Sequence, residues 1–266
     1  MSAISNLAVV SNKARIAAGV EIGPFAIIED DVEIAAGVKI WPHAHICSGS
    51  SIGEGTEVHM GAVVGHLPQD LGFDRNKKTY ARIGKNTVIR EYATIHRSTA
   101  EGSATEVGDN CYIMAVSHVG HDCHLSNNVI LANCALLAGH VSVGSYTFIS
   151  GNVVVHQFCR IGTLAMIGGF TGINKDVPPY MLVRGPSVIR GVNLVGLRRL
   201  KFPRDVIHGI MEAYKLIFKS NINTAQAIEG MRKLPASKEI DHLIEFIQGS
   251  KRGICKYKYS DDEYFE

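Results

Sequence analysis

From Val10 onward an aliphatic residue returns every six positions, a period that neither an α-helix nor a two-sided strand can sustain. The series runs Val10, Ile16, Ile22, Ile28, Ile34, Ile40, Ile46, Ile52, Val58 and Val64. It resumes at Ile83, Ile89 and Ile95, and again from Val107 through Ile113, Val119, Leu125, Leu131, Leu137, Val143, Ile149, Val155, Ile161 and Ile167 to Ile173. The next position is often glycine or alanine, as at Ala17, Gly23, Gly53, Gly108, Gly144 and Gly162. The position two before is small or apolar, as at Ala14, Val20, Ala26 and Val32. A short strand, a corner and another short strand satisfy this rule, with the aliphatic pointing inward on every segment. Three segments close one triangular coil of eighteen residues, and successive coils stack as parallel strands.

This pattern resembles the hexapeptide-repeat family, and the resemblance implies a left-handed parallel β-helix. The handedness departs from the usual right-handed crossover and comes from the resemblance, not from the period. The repeated aliphatics are core. Function is therefore sought in residues that break or decorate the pattern. Two breaks read as excursion loops, GHLPQDLGFDRNKKTYA (65–81), which shifts the register by one residue, and RSTAEGSATE (97–106), which keeps the phase. Loops on a rigid scaffold are where binding residues concentrate.

After Pro186 the period stops and helical spacing replaces it, dividing the chain into a β-helix over 1–186 and a small α-helical C-terminal domain over 187–266. Pro203 opens one expected helix, Thr224 caps a second, and Ser237 caps a third that ends near Gly249. The final KYKYSDDEYFE has no core pattern and reads as a loosely held tail.

Composition narrows the function classes. A formal charge of +2 on 266 residues argues against a dedicated nucleic-acid binder. No apolar run approaches a membrane span, and MSAISNLAVVSNKA has no signal-peptide core. Six cysteines without a Cys-x-x-Cys pair read as free thiols, so a cytoplasmic protein is expected.

The stretch SHVGHDCHL (117–125) holds three histidines, an aspartate and a cysteine. On a helix, His118, His121 and His124 would look like metal ligands. On the coil, Val119 and Leu125 point inward, so His118 and His124 belong to different faces and the three cannot converge within one chain. A metal shared between chains, as in γ-class carbonic anhydrases of this fold, stays open. Stacking by eighteen places Asp122 beside His140 and His121 beside the backbone of Gly139, with coils about 4.8 Å apart. A histidine next to an unhindered amide suits acyl transfer: the ring takes the proton of an attacking hydroxyl and the N–H supports an oxyanion. A carboxylate on the ring fixes its tautomer.

SHVGHDC, LANCALLAGHVSVG, VHQFCRIG, MIGGFTG and DVPPY, in that order, resemble the UDP-N-acetylglucosamine O-acyltransferases that begin lipid A synthesis. IREYATIHR, the PQDL loop and GVNLVGLRR fit the same family. The resemblance covers nearly the whole chain before the tail. It implies a homotrimer with active sites in clefts between adjacent β-helices. The implied reaction moves a 3-hydroxyacyl group from acyl carrier protein to the glucosamine 3-position of UDP-N-acetylglucosamine, without metal or other cofactor. Carried over, His121 is the general base, Asp122 orients it and the Gly139 amide is the oxyanion donor. His118, His140 and His156 position substrate, with Gln157 near the nucleotide or phosphate. Asp70 contacts sugar or acyl chain, Asn193 and Arg199 hold the UDP part, and Gly169 floors the acyl groove. The chain departs from the family pattern at Gly72, where lysine is frequent, at Leu200, where a second arginine is expected, and around Pro186, where a histidine is common.

Three alternatives accompany this reading. One is N-acyl transfer to a 3-amino UDP-sugar, or the later N-acyltransferase of the pathway, which normally carries an extra N-terminal domain. Another is a metal-dependent hydratase like the γ-class carbonic anhydrases, which zinc content would reveal. The last is a non-enzymatic scaffold, which leaves the stack of His121, Asp122, Gly139 and His140 unexplained.

Overall fold

The computed structural model describes residues 3–257. Two-residue strands recur at the six-residue interval and assemble into three sheets of twelve, nine and eight strands. Each strand pairs in parallel with the one a full coil away, as Glu21 with Lys39 and Ile22 with Ile40. The result is a left-handed parallel β-helix with three flat faces.

The inward aliphatics form one continuous core along the axis, from Ile22 to Ile173, most of them fully buried. Val10 and Ile16 are only partly buried against it, because they sit in the first coil, at the open end of the stack. Burying one such side chain contributes roughly 1.5–3 kcal/mol, so the repeat itself supplies most of the driving force. Several polar side chains that enter the core are satisfied by a neighbouring coil. Thr56 Oγ1 donates to the Gly84 carbonyl at 2.8 Å and accepts the Thr87 N–H at 3.0 Å, and Thr87 repeats the arrangement one coil on.

Corners take a left-handed residue three positions after the aliphatic. Asp122, Asn128, Cys134, His140, Tyr146, Asn152 and Phe158 all have φ between 56° and 64°. Only some are of the type that favours this region, so stacking on the adjacent coil holds the others there.

Both excursions leave at corners. Glu57 pairs with Val88, 31 residues on, which is thirteen more than one coil and explains the one-residue phase shift. Val88 pairs with Tyr112, 24 residues on, six more than one coil, so the second excursion keeps phase. Each is shorter than the sequence spacing implies, because the flanking strands Val63–His66, Tyr80–Ile83, Thr94–His96 and Ala104–Val107 run into them.

Beyond the last coil, Met181–Val183 and Val188–Val192 form an antiparallel hairpin on the end of the twelve-stranded sheet. That sheet thus continues past residue 186. Four helices follow among the described residues, α1 (Leu194–Arg199), α2 (Arg204–Phe218), α3 (Thr224–Met231) and α4 (Lys238–Gln248). The expected starts at Pro203 and Ser237 match α2 and α4, and Gly249 ends α4. Thr224 is the first residue of α3, not its cap: Asn223 caps it in a reciprocal box with Gln226. The short α1 carries too few apolar positions to show a period. At the far end, Lys256 and Tyr257 are not loose but pair with Val188 and Ile189, since strand pairing through the backbone needs no hydrophobic pattern. The remainder of the expected tail lies outside the described residues.

Candidate active site

The three histidines of SHVGHDCHL separate as the coil predicts. His118 lies on the nine-stranded sheet, paired with Thr94 and Leu136. His124 lies on the eight-stranded sheet and faces Glu106, Nδ1 to Oε2 3.0 Å. His121 occupies the corner between them, and its site is assembled from columns of residues one coil apart.

In one column, Gly139 stacks on His121 and Gln157 on Gly139. The His140 N–H donates to the His121 carbonyl at 2.9 Å and the Phe158 N–H to the Gly139 carbonyl at 3.1 Å. The imidazole packs directly on Gly139, where a β-carbon would fall 2.6 Å from His121 Nε2 and 2.4 Å from Cε1. Only glycine fits there. The Gly139 N–H has no backbone acceptor among the described residues. Such free amides recur at equivalent corners; the missing side chain beneath a histidine singles this one out.

In the next column, Asp122 follows Ser98 and is followed by His140 and Phe158. The left-handed φ values of 59°, 60° and 64° at Asp122, His140 and Phe158 keep these side chains in register. His140 stacks on Phe158 with ring centres 4.4 Å apart, and its Nε2 lies 3.6 Å from Asp122 Oδ2. Asp122 Oδ2 is 2.8 Å from His121 Nδ1. Ser98 Oγ also donates to this carboxylate, as do the Thr99 N–H and the Thr99 hydroxyl, the last at 2.7 Å.

Burial alone would raise the Asp122 pKa, but donors from Ser98, Thr99 and His121 outweigh it and hold it at about 2. Asp122 is therefore ionised near neutrality and can only accept. His121 Nδ1 must carry the hydrogen, which leaves Nε2, above Gly139, as the free base.

A cavity of about 320 Å³ opens on this nitrogen, lined by Gln69, His96, His118, His121, Leu136, Gly139, Val154 and Gln157 among others. His118 Nδ1 is 2.8 Å from Thr94 Oγ1, which fixes its ring. Burial first, and then the neighbouring His121, lowers its pKa. His96 is buried more deeply and pushed down to about 4, by desolvation first and then by His118. Both rings are neutral near pH 7.

One chain thus unites His121, Asp122, Gly139, His118, His140 and Gln157. It does not bring the remaining expected residues to the cavity. Asp70 lies on the first excursion next to Gln69, where its carboxylate accepts the Gly72 N–H at 2.9 Å. His156 is exposed, its Nδ1 3.1 Å from the Gln157 carbonyl. Gly169 stacks over Gly151 at a different corner. Asn193 caps α1, its Oδ1 accepting the Gly196 N–H at 3.0 Å and its Nδ2 donating to the Leu164 carbonyl at 2.9 Å. Asn193 and Arg199 border a separate, more apolar cavity of about 600 Å³ against the outer face of the twelve-stranded sheet, with Phe148, Met166 and Leu182.

The sequence reading missed Ser98 and Thr99, the donors that keep Asp122 ionised, and Thr94, which orients His118. All three lie in or just before the second excursion. The only usable signal was its length: an insertion of one repeat keeps position 98 below position 122.

The arrangement is one that can serve as a general base with an orienting carboxylate and an adjacent amide. Residues 176–255 match the family model described as UDP N-acetylglucosamine O-acyltransferase, domain 2. Residues 31–66 and 104–139 match that of the bacterial transferase hexapeptide repeats. The acyl-[acyl-carrier-protein]–UDP-N-acetylglucosamine O-acyltransferase of Halorhodospira halophila is 43% identical over 96% of this chain and 100% of its own length. The enzyme of that name from Alkalilimnicola ehrlichii is 45% identical over the same shares. A crystal structure of the UDP-N-acetylglucosamine acyltransferase of Bacteroides fragilis superposes with a TM-score of 0.90, at 40% identity over 94% of this chain and 98% of that one. With relatives at this identity along nearly its whole length, the chain belongs to the UDP-N-acetylglucosamine O-acyltransferase family.

Proposed function

We propose that this chain transfers a 3-hydroxyacyl group from acyl carrier protein to the 3-hydroxyl of UDP-N-acetylglucosamine, the first step of lipid A synthesis. The observation that carries this reading is the stack of His121 on Gly139 with Asp122 at the far ring nitrogen. His121 Nε2 accepts the proton of the sugar hydroxyl as the oxygen attacks the thioester carbonyl. Asp122, already ionised, steadies the imidazolium. The Gly139 N–H faces the oxyanion of the tetrahedral intermediate. Collapse expels the carrier thiolate, which takes the proton back from His121. The balance closes without a metal or other cofactor, the carrier thioester being the acyl donor.

His118, His140, His156 and Gln157 are assigned to substrate positioning, and Asp70 to the sugar or acyl chain from the first excursion. A homotrimer with clefts between adjacent β-helices accounts for the split seen in one chain. Asn193 and Arg199, which border their own cavity, would meet the His121 cavity across a subunit boundary and hold the UDP part there, with Gly169 lining the acyl groove. Leu136 and Val154, exposed and apolar beside the His121 cavity, are suited to an acyl chain or a neighbouring subunit. No helix among the described residues is long and apolar enough to cross a membrane; the proposed work on a carrier-bound substrate is assigned to the cytoplasm.

The test is acyl transfer by purified protein from 3-hydroxyacyl carrier proteins of several lengths to UDP-N-acetylglucosamine. Product acylated on the 3-oxygen supports the proposal. Acylation only of the 3-amino analogue would move the substrate while keeping the mechanism. Failure with both acceptors would overturn it.

A further inference from the structure

Well below the His121 cavity, two early coils bring together three side chains that the acyl transfer does not use. His45 is on the nine-stranded sheet, paired with Ile27 below and Val63 above. Val63 pairs with Thr94 and Thr94 with His118, so His45 lies three strand spacings, roughly 14 Å, from His118. The same register sets Glu29 and Cys47 one above the other, each just after its inward isoleucine.

Glu29 Oε1 is 2.8 Å from His45 Nε2, and Oε2 accepts the Ser48 N–H at 2.8 Å. One donor atom each from Glu29, His45 and Cys47 lies within 4.8 Å of the other two. The glutamate and histidine side chains are 40% and 30% exposed, while Cys47 is buried beneath them. The cluster thus has a solvent-facing entrance and a sulfur floor.

We propose that Glu29, His45 and Cys47 form a binding site for a divalent transition metal of the zinc type, through one carboxylate oxygen, one imidazole nitrogen and one thiolate, with the fourth position open. Oxygen, nitrogen and sulfur at about 2.0–2.3 Å from a tetrahedral ion stand roughly 3.3–3.8 Å apart. The Glu29–His45 contact of 2.8 Å would open by about half an ångström and no pair exceeds 4.8 Å, adjustments within the reach of side-chain rotation. The mixed set with one soft donor selects zinc or cobalt over magnesium or calcium.

Without metal, burial pushes the Cys47 thiol up to about 12, and the Glu29 charge adds to this, while Arg97 opposes it. A bound dication reverses that balance, because the thiolate becomes a ligand and the thiol proton leaves to solvent. Arg97, which donates to the Ser48 carbonyl at 3.2 Å, weakens the site for a cation but favours the thiolate form. The ion would clasp two successive coils, and its binding would stabilise the folded chain by mass action.

The test is titration of the metal-free, full-length protein with cobalt(II), followed by absorption. A thiolate-to-cobalt charge-transfer band growing to one equivalent, displaced by zinc and accompanied by proton release, is expected. The band should vanish in Cys47→Ser, weaken in His45→Ala and persist in His121→Ala. The catalytic cluster of His121, Asp122 and His140, whose donors also approach one another, has no sulfur and cannot produce it. Absence of the band at stoichiometric cobalt, or its survival in Cys47→Ser, would overturn the proposal. So would cobalt binding that disappears only in His121→Ala. None of these results depends on whether the protein transfers acyl groups.

Discussion

His121 and Gly139, eighteen residues apart in sequence, share one van der Waals surface: the α-carbon of the glycine lies under the imidazole so closely that a methyl group there would fall 2.6 Å from Nε2. The contact joins the proposed base to the proposed oxyanion donor without an intervening side chain. Gly139→Ala should therefore displace the ring from Asp122 and lower turnover by at least about a hundredfold, with folding retained. Near-normal turnover in a steady-state assay would separate Gly139 from the chemistry.

Removal of the base tests the other half of the pair. His121→Ala should reduce kcat by about 10²- to 10⁴-fold with little change in the melting temperature, because the ring is held at a corner and not in the core. A variant that keeps turnover would leave the reaction without an identified base.

Asp122 connects the site to stability. Its pKa of about 2 in the folded chain is below the usual carboxylate value near 3.9. A depressed folded pKa contributes stability that is fully present above the unfolded value and is lost as pH falls toward 2. The size is on the order of 2–3 kcal/mol. Asp122→Asn should unfold at lower denaturant than the parent at pH 7, and the gap should narrow from about pH 4 downward. A gap independent of pH would show that the carboxylate charge is not what stabilises the fold.

Ser98 and Thr99 should act through Asp122. Hydrogen bonds to a charged group contribute about 1.5–3 kcal/mol each, so Ser98→Ala combined with Thr99→Val should raise the Asp122 pKa. The acid limb of the kcat profile should shift upward, with KM for both substrates little changed. An unmoved limb, with activity lost uniformly across pH, would point to a collapsed loop instead.

Gly169→Met tests the groove. The glycine has an ordinary φ, and a β-carbon would meet the Gly151 carbonyl oxygen at 3.3 Å and the Ser150 β-carbon at 3.9 Å, so the fold should tolerate the change. Preference should move toward shorter acyl chains in competition between carriers of different length. An unaltered chain profile would remove Gly169 from the groove.

The six-residue period made the fold and the central pair legible because inward packing dictates both. Once Val119 and Leu125 are inward, the corner holding His121 and Asp122 follows, and adding eighteen gives Gly139 and His140. Ser98 and Thr99 stayed hidden because an excursion says how long a loop is, not which of its hydroxyls turn back. Asn193 shows the converse limit. Its resemblance to a nucleotide-binding residue was readable, but its bonds to Gly196 and Leu164 come from a hairpin and a short helix that carry no period. The paired Lys256 and Tyr257 were misread for a similar reason: backbone pairing leaves no mark in side-chain pattern.

The coil register has a consequence for how such a chain can be edited. Deleting one whole turn from the lower half would shorten the spiral and leave every column above it aligned, since each turn closes on itself. Deleting a single residue between Asp122 and Gly139 would slide each upper column by one place, setting His140 over His121 and the bulk of its ring where glycine must be. The enzyme is thus indifferent to how tall it is and strict about one stretch of seventeen peptide bonds.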